Sequence, residues 1–179
     1  MSHPHAPDKV LLISSLFSPD RGVIDRVLAR IPEHYGPIER ISEEMFFDRT
    51  RYYEREMGWP LYRRFISFEA LISPETLVEV KLTTHAIEND YLNQGNRLIN
   101  IDPGYISPER LILATGKNYV HRVYLGKGIY ADLTLLFKRG SFRPLEWTYR
   151  DYSAPEMIAY FNELRHAYME KLREMKRID

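Results

Sequence analysis

The sequence contains no cysteine. That excludes disulfides, thiolate nucleophiles and Cys-ligated zinc or iron–sulfur sites. It also fits a reducing compartment, so a cytoplasmic location is expected. Net charge is missing too, because 25 Lys and Arg balance 25 Asp and Glu. A protein built chiefly to hold duplex DNA or an anionic membrane carries a basic excess, so duplex DNA is not an expected partner. No apolar run approaches the roughly 18 residues of a membrane helix, so no span is expected. The start of the chain lacks the basic-then-apolar pattern of a signal peptide. There is no nucleophile elbow, no His-Glu-x-x-His and no paired-histidine metal motif, so the reaction class is open, no metal ligands are assigned and the cofactor is unknown.

What is present is a folded chain. Its 179 residues are 44% apolar and include 13 Tyr, 8 Phe and 2 Trp, enough for one domain with a real core. No internal repeat, low-complexity tract or linker divides it. Residues 1–8 are expected to be disordered, His3 and His5 among them, and the charged tail 171–179 is expected to be a frayed helix end.

The apolar run from Lys9 to Phe17 reads as a first, central strand. Val23, Val27, Leu28 and Ile31 recur at helical spacing, and Pro32 with Gly36-Pro37 ends that helix. A second strand is expected over 38–47. The segment 48–58 is a short helix or a loop. Asp48, Tyr52, Tyr53 and Glu56 are candidates to line a pocket there, and a solvated segment is the alternative. A third strand follows over 61–72. Ser73-Pro74-Glu75 predicts a helix start with Ser73 as cap, and Leu77, Val80, Thr84, Ile87 and Tyr91 form its apolar stripe up to Gly95. A fourth strand spans 97–102, and Pro103-Gly104 fits the middle of a type II turn. A fifth spans 111–115, and 141–147 is expected as an edge strand. Ser153-Ala-Pro-Glu156 predicts the last helix with Ser153 as cap and Met157, Phe161, Leu164, Tyr168 and Leu172 as stripe.

Gly126-Lys127-Gly128 joins two β-rich runs and predicts a hairpin. A three-residue loop pairs Leu125 with Ile129, Tyr124 with Tyr130, Val123 with Ala131 and Arg122 with Asp132. One face then carries Arg122, Tyr124, Tyr130, Asp132 and Thr134. The other, expected to be buried, carries His121, Val123, Leu125, Ile129, Ala131, Leu133 and Leu135.

The first six elements run β-α-β-β-α-β, the order of a ferredoxin-like fold. The expectation is therefore an α+β domain with a ferredoxin-like core, extended by C-terminal antiparallel strands and a final helix. Another α+β sandwich is the alternative.

The string Asp102-Pro-Gly-Tyr105, Ala114-Thr-Gly-Lys117, His121-Arg-Val-Tyr-Leu-Gly-Lys-Gly-Ile-Tyr-Ala-Asp-Leu-Thr134 and Trp147-Thr-Tyr149 resembles a bacterial family known as domain of unknown function 4416. The resemblance runs from about Val10 to Leu172. It brings no established catalytic residues. Members are often labelled GTP-binding proteins, but a Walker A loop needs Gly-x-x-x-x-Gly-Lys-Ser/Thr. Gly116-Lys117 is followed by Asn118 and Gly126-Lys127 by Gly128, and no Asn-Lys-x-Asp occurs.

The candidate ligand-binding residues are Asp102, Tyr105, Lys117, His121, Arg122, Tyr124, Tyr130 and Asp132, the densest grouping of acids, bases and anion donors. Three readings stay open. The first is a binding module for a small molecule, nucleotide or macromolecule. Its aromatic-plus-Arg face can stack single-stranded RNA, although the RNA-recognition motif is absent. The second is an enzyme of phosphoester or nucleotide chemistry, with Lys117 and Arg122 on phosphate and His121 or Asp132 as base. The third is a structural subunit, a homodimer joined through aromatics such as Trp59, Tyr62 and Trp147, with burial in the core as the equal alternative for them.

Overall fold

The computed structural model describes residues 3–47 and 53–178. Val10–Ser18 forms β1, and every residue of it is buried. A strand apolar nearly throughout has to be covered on both faces, and this one is.

Helix α1 (Arg21–Arg30) follows, capped by Asp20, whose carboxylate accepts from Gly22 N at 2.8 Å. A short α2 (Pro32–Tyr35) ends at Gly36. The strand expected over 38–47 is in fact two, β2 (Ile38–Ile41) and β3 (Met45–Phe46). Ser42 makes the break. Its hydroxyl accepts from Phe65 N at 2.9 Å, a donor that a continuing ladder would use. After α3 (Glu54–Met57) comes β4 (Tyr62–Ile72).

Helix α4 (Leu77–Asn89) buries Leu77, Val80, Thr84 and Ile87 as its spacing predicts, and also Lys81 and Glu88. Ser73 makes no side-chain cap; Thr76 Oγ1 instead donates to Ser73 O at 2.7 Å. The helix stops before Gly95. Gln94 and Gly95, both at positive φ, turn a small hairpin of β5 (Leu92–Asn93) and β6 (Asn96–Arg97).

Strand β7 (Asn100–Ile106) runs straight through Pro103-Gly104, so the expected turn there is absent. Pro103 pairs with Ser14, and Gly104 pairs with Ile13 on one side and Leu113 on the other. The ladder from β7 to β8 (Arg110–Thr115) begins only at Gly104, so Pro103 interrupts none of it. Close packing demands Gly104: a Cβ there would lie 2.2 Å from Ile112 O.

The central hairpin is β9 (Arg122–Gly126) and β10 (Ile129–Lys138). Tyr124–Tyr130, Val123–Ala131 and Arg122–Asp132 pair as their spacing predicts. The loop is one residue shorter than expected. Lys127 and Gly128 form it at positive φ, and a bulge at Leu125 keeps the register. Edge strand β11 (Ser141–Pro144), α5 (Arg150–Ser153) and α6 (Pro155–Ile178) complete the chain. Ser153 closes α5 and does not cap α6, because its hydroxyl bonds back to Arg150 O.

The sheet order is β11-β10-β8-β7-β1-β4-β2, with β3 on β4 and β9 on β10, and every pairing is antiparallel. One face carries α1 and α4 over Leu12, Leu16, Ile66 and Phe68. The other carries α5 and α6 over Leu11, Ile13, Phe65 and Leu113, with all five residues of the predicted α6 stripe buried. This is an α+β architecture. Among the described residues no helix is long and apolar enough to cross a membrane.

Candidate functional site

The site lies where β7 leaves β8. Before Gly104 the two strands are unpaired, so among the described residues Ile101 has no strand partner on that side. Helix α4 supplies one. Lys81 Nζ donates to Ile101 O at 3.0 Å, and Glu88 Oε1 accepts from Ile101 N at 2.6 Å. Two buried charges thus stand in for the missing strand.

More charges gather around them. Lys81 Nζ is 3.3 Å from Asp102 Oδ1, and Asn100 Nδ2 donates to Asp102 Oδ2 at 2.7 Å. Arg97 grips Glu56 of α3 with two nitrogens, at 2.6 and 3.0 Å, and reaches Asn100 Oδ1 at 3.0 Å and Glu88 at 3.5 Å. Burial pushes the Glu88 carboxyl up, moderated by Lys81 and the Ile101 N–H. The Arg97 bonds hold Glu56 below the ordinary carboxylate range. Burial, then Lys81 and Arg97, lower His85 one turn along. Lys81 and Glu88 are almost fully buried, whereas the Asp102 side chain is 33% exposed. The cluster therefore has a buried floor and an open carboxylate at its mouth.

A second network sits in the hairpin. Asp132 Oδ2 accepts from Arg122 Nε at 2.8 Å and lies 3.2 Å from His121 Nε2. Thr134 Oγ1 is 3.4 Å from Asp132 Oδ1. Arg122 has each nitrogen engaged, the others on Lys117 O at 2.9 Å and Tyr149 Oη at 3.0 Å. Burial pulls Arg122 down, but the Asp132 bond and Tyr149 bring it out above its ordinary value. The Asp132 side chain is only 5% exposed. His121 was expected on the opposite, apolar face. It precedes β9, so strand alternation does not bind it, and it turns to Asp132 and stacks on Trp147 at 4.8 Å. Trp147 donates to Leu133 O at 2.7 Å and Thr148 to Thr134 O at 2.6 Å, closing the gap between β9 and β11.

The eight candidates thus divide. His121, Arg122 and Asp132 come together, whereas Asp102 belongs to the α4 cluster. Lys117 stands between them: its carbonyl holds Arg122 and its ammonium helps to lower Glu56. Tyr124 and Tyr130 pair at 5.2 Å on the hairpin. Tyr105 joins neither group. It packs with Leu77, Ile112 and Ile129 beneath α4, where burial raises its pKa. The expected apolar face is buried at Ile129 but open at Val123 and Leu125. Of the residues proposed to line a pocket, Asp48 and Tyr52 lie outside the described residues. Glu56 is in the α4 cluster, and Tyr53 packs on Phe17. A separate pocket of about 240 Å³ lies between β3, β4 and α6, against the Arg63–Asp151 pair.

Lys81, Glu88, Arg97 and Asn100 were not anticipated. The available signal was spacing. Lys81, His85 and Glu88 share one helical face, and Asn100 and Asp102 share one strand face.

Fold and site define an α+β protein with an ionic cluster at the open end of an antiparallel sheet. The chain belongs to the family described as Domain of unknown function (DUF4416), which matches residues 8–168. No curated protein matches it, and no solved structure matches it.

Proposed function

We propose that this protein binds a small polar ligand, with nucleotides the first class to test, at the open end of the sheet against Lys81, Arg97 and Asp102. One observation carries the reading: ionisable groups from α3, α4, β6 and β7 converge on a gap between strands, and Asp102 stays open to solvent there. Buried charge is costly, and a cluster of it with perturbed pKa values beside an opening marks a candidate functional site. Lys117 lies at the rim, near enough to Glu56 to approach a ligand's phosphate. The core that presents the site is read as ferredoxin-like, which its β7-β1-β4-β2 order and two helices on one face support. A cytoplasmic setting goes with that reading.

A nucleotide held here is not held by a P-loop. Neither Gly116-Lys117 nor Gly126-Lys127 leads into a helix. The enzyme reading, with His121 or Asp132 as base and Arg122 on phosphate, has less support. Asp132 is sealed and the Arg122 nitrogens are engaged within the fold.

The test is thermal denaturation of the full chain with GTP, GDP, ATP, cyclic nucleotides and short RNA, each with and without Mg²⁺. A ligand bound only by the folded state stabilises it by about 2.7 kcal/mol at a hundredfold excess over its Kd. We expect a shift with one nucleotide that Asp102→Asn and Lys81→Met abolish. No shift with any member, or a shift that survives both substitutions, overturns the proposal.

A further inference from the structure

We infer that β9 is a homodimer interface, pairing antiparallel with β9 of a second copy of this chain. Among the described residues, β9 pairs only with β10, so its outer row of N–H and C=O groups has no strand partner. Such an edge is a template for another strand.

Edge strands β2 and β3 expose one large apolar side chain each, Ile41 and Phe46, and β11 exposes none, whereas β9 exposes three. Strand β2 is interrupted by a bulge and carries Glu39 and Arg40, and β11 is four residues long with Arg143 and Pro144. Bulges, charges, proline and short length are the usual devices against edge pairing. Strand β9 has a bulge at Leu125 and opens on Arg122, but it carries no proline, Arg122 is taken up by Asp132, and its apolar side chains stay exposed. It runs Arg-Val-Tyr-Leu-Gly, and Tyr119 and Val120 precede it. Val120 is 90% exposed and Val123 66%, with Tyr119, Tyr124 and Leu125 also open. Trp147 and Tyr149 continue the surface beside them.

Three features select a second copy as the occupant. Antiparallel pairing of one strand with itself is two-fold symmetric, so the same patch serves both sides. The charges on the strand and its turn are already satisfied, Arg122 by Asp132 and Lys127 by Glu79, so no free like charges meet across the axis. The exposed area fits a modest interface. At roughly 150–250 Å² per aromatic side chain and somewhat less per aliphatic one, the exposed portions sum to on the order of 700–800 Å² per copy, and strand pairing covers part of that, the range of a concentration-dependent dimer below the ~800 Å² per partner of a standard interface.

Sedimentation velocity of the full chain over a concentration series tests the inference. The expected result is a dimer that the double variant Val123→Lys, Leu125→Lys converts to monomer with its far-UV circular dichroism and Tm retained. Phe46→Lys, an exposed aromatic at the opposite side of the sheet, is expected to remain dimeric. A wild type that stays monomeric throughout overturns the inference, as does a dimer that survives the double variant. If the double variant does not fold, single cysteines decide, since the chain has none of its own. Under mild oxidation Tyr124→Cys is expected to give a covalent dimer and Phe46→Cys is not. Equal cross-linking of the two rejects the β9 axis.

Discussion

Two ionic networks of similar composition lie at the same end of the sheet. The hairpin network joins His121, Arg122 and Asp132. The α4 network joins Lys81, Glu88, Arg97, Glu56 and Asp102. They differ in access to water. Asp132 is 5% exposed and Asp102 33%. In the hairpin Arg122 and Asp132 meet one another, and Trp147 stacks over His121, whose Nδ1 is buried without a hydrogen-bond partner among the described residues. Around α4, two charges hold the backbone of a strand whose neighbour has left, and the outer carboxylate remains open. Burial and charge alone do not distinguish a structural network from a binding site. The difference is whether the network ends inside the protein or at its surface.

Removing the hub of the sealed network tests the comparison hardest. Asp132→Ala leaves Arg122 and His121 without their carboxylate in a buried place, and loss of one partner of such a pair typically costs 3–5 kcal/mol. Arg122 keeps Lys117 O and Tyr149, so the expected loss is about 3 kcal/mol. Urea unfolding measures it. A loss below about 1 kcal/mol, the level of an exposed ion pair, removes the structural role assigned to the hairpin.

Next in size is the point where β7 and β8 part. Gly104→Ala drives a Cβ against the Ile112 carbonyl and is expected to cost about 2 kcal/mol, as overpacking does. Gly116→Ala, with nothing within 4 Å of the added carbon, is its control and is expected to change stability by under about 0.5 kcal/mol. Equal effects would mean that the paired and parted ends of the two strands do not differ in packing. Lys81→Met in the open network leaves Ile101 O without its donor and is expected to cost about 1 kcal/mol. A loss matching that of Asp132→Ala would place the α4 network among structural ones.

Much of this was legible in the sequence, and the unread part has a common physical cause. Period-two alternation gave three hairpin pairs, and helical spacing gave all five buried residues of α6. Local rules failed where a distant strand decides. Pro103-Gly104 has the chemistry of a turn, yet Gly104 is held in a strand by the approach of Ile112. Lys81 and Glu88 sit one position from the apolar residues Val80 and Ile87, and their burial depends on where β8 ends, thirteen residues beyond Asp102 in sequence. The Arg122–Asp132 contact was visible because both partners lie in one hairpin. The Lys81–Asp102 contact joins a helix to a strand, and no local spacing encodes it.

The smallest expected effect separates the networks by pH. Burial raises the Glu88 carboxyl, so its folded pKa lies above its unfolded value near 4.3. An acid shifted upward binds its proton more tightly when folded. Its stabilising contribution is therefore fully present below the unfolded pKa and is lost as pH rises through the folded one. Glu88→Gln removes that dependence and keeps an amide oxygen for Ile101 N. The stability of wild type relative to Glu88→Gln should therefore rise as pH falls from 7 toward 4. Lys81, Arg97 and the Ile101 N–H oppose burial at Glu88, so the rise is modest. Glu56 runs the other way, since its lowered pKa favours the fold above its unfolded value and that contribution fades on acidification. Unfolding series of wild type, Glu88→Gln and Glu56→Gln, carried below the unfolded carboxylate pKa so that the Glu56 contribution is lost, resolve the two signs. A wild-type advantage over Glu88→Gln that shrinks on acidification would show that Lys81, Arg97 and the Ile101 N–H outweigh burial at Glu88. The open network would then be ionically closed like the hairpin, and the contrast between them would fail.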